Sequence, residues 1–230
     1  REVNLGKKVA IGERVVVIGG SNVAIDASRT ALRLGAKEVT IIFDSTREEL
    51  SASAEEVDEA LREGVGINYL AAPIGVVTAD DGLKVEFIRM ELGKIDENGG
   101  RKPSPVAGSE FTGEYDMMIK AVGEEPEVPD GYMLPVSRGS RIEVDSVTLA
   151  TGKGAVFAAG DAVTGTTSVI EAIAAGRRAA VSIDKYLGGS GEIDEILIDT
   201  EKANSYLGRE DGFADKPRVP MPCLPVEQRL

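Results

Sequence analysis

Histidine and tryptophan are absent from the 230 residues, cysteine occurs once, at Cys223, and aromatic residues make up only 4% of the chain. These absences exclude several chemistries. A Ser-His-Asp or Cys-His nucleophile cannot be assembled from this chain alone, nor can a zinc site built on Cys and His, and an internal disulfide is impossible. An activity would therefore be carried by a bound cofactor, with the protein positioning and tuning it. Long apolar runs are lacking too: none approaches the roughly 18 residues of a membrane span, so no membrane partner is expected and the cytoplasm is the expected location. Positive charge is in short supply, with a net charge of -13 and a sequence pI near 4.6. Such an acidic chain is poorly matched to nucleic acid or an anionic bilayer, both polyanions. What remains, 42% apolar and 28% charged residues, is enough for one or two ordinary globular cores.

The strongest local signal begins at Arg14. The run Arg14-Val15-Val16-Val17-Ile18 is apolar and β-branched, as expected for a parallel strand buried on both faces. Gly19-Gly20-Ser21-Asn22-Val23-Ala24 follows, then a helical pattern with Ala24, Ala27, Ala31 and Leu34 along one side and Gly35 as its stop. Strand, glycine turn and helix in that order place backbone amides and a positive helix end where a pyrophosphate can sit. Ser21 holds the second glycine position of G-x-G-x-x-G and Ala24 the third. Glu38 to Phe43 reads as a second strand, and Asp44 ends it about 20 residues after the turn, where a ribose-binding acid belongs. A tight turn in an unrelated α/β domain stays open as an alternative.

The first half continues as α/β. Ser53-Ala54-Glu55-Glu56 fits a capping box, Val57, Ala60 and Leu61 give the following helix an apolar side, and Gly64 ends it. Ile67 to Leu70 is a third strand. Alternating segments Ile74 to Thr78 and Leu83 to Leu92, broken by Asp80-Asp81-Gly82 and Asn98-Gly99-Gly100, predict an antiparallel excursion. Met117 to Val122 resumes a buried strand, and Gly123-Glu124-Glu125-Pro126 is the expected domain crossing.

A second signature spans Val156 to Glu171. Ala155-Val156-Phe157-Ala158-Ala159 reads as a strand ending at Gly160-Asp161, and Thr166-Thr167-Ser168-Val169-Ile170-Glu171 opens an alanine-rich helix running to about Leu187. Ser168 and Glu171 can form a capping box, while Ala172, Gly176, Ala179 and Ala180 keep one helix side narrow. Asp161 can accept hydrogen bonds from a polyol, and free amides near Ser168 can stabilise negative charge. Equally, Ser168 can be only a cap and Asp161 only a turn residue.

Arg1 to Gly6, Gly19 to Asp26, Arg29 to Ala36, Thr46 to Glu49 and Val156 to Gly176 together resemble the small subunit of NADPH-dependent glutamate synthase and related FAD- and NAD(P)-binding pyridine nucleotide oxidoreductases. The likeness covers nearly the whole chain to about Leu187. It implies a pyridine-nucleotide domain inserted in an FAD domain, with electrons passing from nicotinamide to flavin and onward to iron-sulfur centres in other domains or subunits. The resemblance puts Gly19, Gly20, Asn22 and Val23 around the dinucleotide phosphates. It puts Gly160 and Asp161 at the flavin's ribityl and phosphate side, and Thr167, Ser168 and Val169 near its ring. Ala121-Val122-Gly123 would be the link back to the flavin domain.

Two departures from the family pattern matter. Its NADPH-using members commonly carry paired arginines after the second strand, where this chain has Asp44-Ser45, with Arg47 further on; a carboxylate favours a free ribose 2′-hydroxyl, so NADH is the expected nucleotide. The family's first flavin fingerprint would precede Arg1, so the expectation is a fragment with an incomplete FAD site that purifies colourless.

The expected fold class is thus α/β: a Rossmann-like three-layer domain with an antiparallel excursion at residues 1–125, the C-terminal portion of an FAD-binding α/β domain at 126–187, and a linker with a proline-rich tail at 188–230. The expected function is hydride transfer from NAD(P)H to FAD within a larger redox complex. A non-catalytic nucleotide-binding or interaction module is the alternative. Disulfide reduction of the thioredoxin-reductase kind is disfavoured, because it needs paired cysteines. The oligomeric state is open.

Overall fold

The computed structural model describes residues 2–79, 81–95, 101–137, 139–193, 212 and 215–229. The chain divides into two compact units, one comprising Arg1–Val122 with Met221–Leu230 and the other Gly123–Pro220.

The first unit is built on a parallel sheet of four strands, β1 (Arg14–Ile18), β2 (Glu38–Phe43), β3 (Gly66–Tyr69) and β8 (Met117–Lys120), in the order β3-β2-β1-β8. Alternation along β1 explains its uninterrupted apolar run. Val15 and Val17 pack with Ala24, Ile25, Ala31, Val57 and Ala60 of helices α1 (Asn22–Arg33) and α2 (Ala54–Arg62), whereas Val16 and Ile18 join Ile42, Val85 and Phe87 on the opposite face. Both faces are covered, so every position must be apolar, each such side chain contributing about 1.5–3 kcal/mol by burial.

The opposite face is covered by the antiparallel strands. β4 (Ala71–Ala79) and β7 (Phe111–Tyr115) pair with β5 (Gly82–Ile95), whose far end pairs with β6 (Arg101–Pro105). Phe87 stacks on Phe111 at 5.2 Å and meets Tyr115 edge-on at 6.2 Å, giving this layer an aromatic centre. The result is the three-layer α/β arrangement expected from the sequence. Asp80 and the Asn98-Gly99-Gly100 turn lie outside the described residues.

Several local expectations are corrected. On α1 the buried positions are Ala24, Ile25, Ser28 and Ala31, while Leu34 is 37% exposed. Ser28 tolerates burial because its hydroxyl donates to the Ala24 carbonyl at 2.7 Å. On α2, Val57 and Ala60 are buried and Leu61 is exposed. Ser53 caps α2 by accepting from the Glu56 amide at 3.3 Å, but the Glu56 carboxylate does not complete a capping box; it is engaged by Arg29.

In the second unit the segment Ala155 to Ala159 is not a strand. Ala155 adopts a left-handed φ of 60°, which interrupts extension, and Phe157 makes a single bridge to Ala150. A short helix α3 (Asp161–Thr164) precedes the long helix α4 (Val169–Tyr186). Ser168 and Glu171 form the full capping box. Ala175 is the buried residue of α4, with Ala172 and Ala179 half-buried; Gly176 and Ala180 are exposed, so the narrow side packs less than its composition implies. Phe157 and Tyr186 pin the end of α4 through an edge-on contact at 5.7 Å.

Candidate functional site

In the first unit the expected dinucleotide residues gather at the carboxyl end of the parallel sheet. Gly19 follows β1 with φ of 137°, and its amide donates to the Ile42 carbonyl at 3.1 Å. A side chain at Gly19 would overlap the carbonyl oxygen of Ala121, and one at Gly20 would enter the ring of Phe43. The two glycines thus let the turn lie tightly between the ends of β2 and β8. Ser21 is the N-cap of α1 in extended conformation, and no side chain caps the helix. With Ser21 accepting from Ala24 and Ile25, the amides of Asn22 and Val23 stand at the first turn without helical partners. Val23 is 64% exposed there.

The Asn22 side chain braces the turn. Its side-chain oxygen accepts from the Ser53 amide at 2.9 Å, tying the entrance of α2 to the glycine turn. The Ala52 amide donates to Gly20 at 3.2 Å, so the segment after the second strand is laced to the turn.

Asp44 is half-buried at the end of β2, where it accepts from the Ser45 hydroxyl at 3.3 Å. Thr46 and Glu49 form a capping box around a 3-10 turn, Arg47–Glu49, and Thr46 holds the Glu48 carboxyl below its usual range. Arg47 donates to Asp58 of α2 at 2.5 Å, both side chains being about half exposed. At the end of β3, the Tyr69 hydroxyl has no hydrogen-bond partner among the described residues, and burial raises its pKa.

Behind this edge lies a cluster that sequence reasoning missed. The fully buried Glu63 side chain accepts from Arg29 and Arg33 at 2.8 Å each, and Arg229, from the proline-rich tail, reaches Glu59 and Glu63. Burial opposes ionisation of Glu63, but the hydrogen bonds and charges of Arg29 and Arg33 outweigh it and hold its pKa at about 2. The spacing carries no signal of this cluster, since its members come from α1, from α2 and the residue that follows it, and from the tail.

Val122 closes the first unit and is 60% exposed. Gly123 opens the second with φ of 91°. Gly160 takes φ of 67° and ψ of -151°, a glycine conformation, and Asp161 is exposed at the start of α3. Thr167, Ser168 and Val169 are exposed at the entrance of α4. The Ser168 amide donates to the Glu171 carboxylate at 2.9 Å, and Val169 and Ile170 beside it are left as first-turn amides. Among the described residues no cluster of His, Cys, Asp or Glu could hold a metal ion, and no helix is long and apolar enough to cross a membrane.

A glycine turn between a parallel strand and an uncapped helix, with an acid following the next strand, is the arrangement of the dinucleotide-binding α/β folds. The chain belongs to the pyridine nucleotide-disulphide oxidoreductase family, whose pattern it matches over residues 2–176. It is 40% identical to the NADP(+)-dependent formate dehydrogenase subunit beta of Moorella thermoacetica, across all of this chain and 34% of that protein. It is 36% identical to the NADPH-Fe(3+) oxidoreductase subunit beta of Geobacter sulfurreducens, across 81% of this chain and 32% of that protein. The glutamate synthase [NADPH] small chain of Azospirillum brasilense is 39% identical, across 81% of this chain and 40% of its own length. The chain thus spans 32–40% of the length of these curated relatives. Among solved structures, T. acidophilum thioredoxin reductase superposes with a TM-score of 0.59 at 22% identity, covering 77% of this chain and 53% of that one. Mycobacterium tuberculosis FprA in complex with NADPH gives 0.62 at 17% identity with the same coverage. These two likenesses concern the fold alone.

Proposed function

We propose that the first unit binds NAD(P)H at the β1–α1 turn and that the chain is the nucleotide-side part of a flavoprotein oxidoreductase. The observation that carries this reading is the Gly19-Gly20 turn, packed against Ala121 and Phe43 and opening into a helix with no side-chain cap. The turn lets a pyrophosphate approach, and the unpartnered amides of Asn22 and Val23 point the positive helix end toward it. Asn22 acts by bracing the turn through Ser53. Asp44 accepts from the adenosine ribose, and its charge disfavours a 2′-phosphate, so NADH is preferred even though the relatives above are named for NADP or NADPH.

Gly160, Asp161, Thr167, Ser168 and Val169 are the flavin-side residues in this reading: Asp161 as acceptor for a polyol hydroxyl, the first-turn amides of Val169 and Ile170 as donors. Bound FAD would accept a hydride from the nicotinamide and release electrons one at a time. Those electrons would pass onward to iron-sulfur centres in other parts of a larger complex; the relatives' names, which call them beta subunits, support the larger complex alone. Dithiol chemistry cannot come from this chain, because Cys223 is its one cysteine.

The alternative, a non-catalytic nucleotide-binding module, draws on Ser21 at the second glycine position. NADH oxidation with an artificial acceptor, with and without added FAD, separates the two. Turnover dependent on FAD supports the oxidoreductase reading; tight nucleotide binding without turnover in protein that holds bound FAD supports the module.

A further inference from the structure

We propose that Asp58 is a specificity-determining residue that weakens NADPH binding by occupying Arg47; this rests on the reading that the adenosine ribose lies at the end of β2. Arg47 is the one cation between Asp44 and Ser53, and therefore the group best placed in sequence to meet a 2′-phosphate. Its guanidinium is engaged instead by the Asp58 carboxylate, at 2.5 Å across from the 3-10 turn to α2. Two independent anchors fix the partners. Thr46 and Glu49 close a capping box around the turn that carries Arg47, and Ser53 caps the helix that carries Asp58, while the Asn22 contact to Ser53 holds that helix entrance to the glycine turn.

A 2′-phosphate carries close to two negative charges at neutral pH. To reach Arg47 it must displace or share the Asp58 carboxylate, and it approaches Asp44 in doing so. NADH, whose ribose presents a neutral hydroxyl to Asp44, has no need of Arg47. Asp58 thus acts as a competing anion built into the protein, distinct from Asp44, which acts on the ribose directly. Because the Arg47–Asp58 pair is about half exposed, its strength is that of a surface ion pair and its effect on affinity is moderate.

The test is isothermal titration of the full chain and its Asp58→Asn, Arg47→Gln and Arg47→Gln/Asp58→Asn variants with NADPH, NADH, 2′,5′-ADP and 5′-ADP. Asp58→Asn is expected to tighten NADPH and 2′,5′-ADP by about threefold, with NADH and 5′-ADP moving less, and the gain is expected to vanish when Arg47 is glutamine. If Asp58→Asn leaves the NADPH to NADH ratio unchanged or lowers it while NADH still binds, Asp58 does not restrain Arg47 and the proposal falls alone. If the wild-type chain binds neither dinucleotide nor either ADP, the ribose reading falls first and takes this proposal with it.

Discussion

Gly19 and Ala121 are in backbone contact across the end of the parallel sheet: a Cβ on Gly19 would overlap the Ala121 carbonyl oxygen and lie 2.8 Å from its carbon. The contact joins the Gly19-Gly20 turn to the end of β8, 102 positions later by residue number, and it leaves no room for a side chain. Gly19→Ala is therefore expected to combine a left-handed strain with a backbone clash and to destabilise the chain by more than about 2 kcal/mol. Denaturant unfolding checks this, and a loss below about 0.5 kcal/mol would mean that the turn can open without cost.

Glu63 makes stability pH-dependent. Its folded pKa of about 2 lies below the ordinary value of 4.5, so the stabilisation is complete above that ordinary value and is lost as pH falls toward 2. The shift corresponds to about 3 kcal/mol. Glu63→Gln is expected to lower stability by about that amount at pH 7 and to flatten the acid limb of a stability-versus-pH curve. An unchanged acid limb would show that Glu63 titrates alike in the folded and unfolded chain, so that Arg29 and Arg33 do not depress its pKa.

Arg229 shares Glu63 with Arg29 and Arg33, so removing it leaves the carboxylate partnered. Arg229→Ala is expected to cost roughly 1 kcal/mol, well below Glu63→Gln, and the two effects should not add. A double-mutant cycle measures the coupling; full additivity would show that Arg229 acts through Glu59 and not through Glu63.

Asp44→Asn removes the charge that the proposed function sets against the ribose. Relative to NADH, NADPH is expected to gain about tenfold in affinity, in line with about 1.5 kcal/mol for a charged hydrogen-bonding group. Competitive titration of the two nucleotides provides the check, and an unchanged ratio would remove Asp44 from the nucleotide site.

Much of the first unit is legible in the sequence because its signals are local. Val15 to Ile18 must be apolar at every position when helices cover one face and β5 the other, and two glycines directly after such a run mark a buried strand that ends in a tight turn. The capping box at Ser168 and the stop at Gly35 are likewise short-range. The features that are not legible depend on long-range partners. Glu63 is an ordinary charged residue after α2 until Arg29, Arg33 and Arg229 converge on it. The bracing role of the Asn22 side chain depends on Ser53, 31 residues later, and is visible only in that contact. The Ala155 to Ala159 segment has the composition of a strand, yet a left-handed Ala155 and a single bridge to Ala150 leave it without a ladder, and composition alone cannot count a strand's neighbours.

The most direct test of dinucleotide binding at the β1–α1 turn is titration of NADH into the wild-type chain and a Val23→Glu variant. Val23 is exposed in the first turn of α1, where a carboxylate suits the helix end and leaves folding intact but repels a pyrophosphate. The expected result is unchanged thermal stability with NADH affinity reduced at least about tenfold. Equal NADH affinity in the two proteins would contradict binding at this turn.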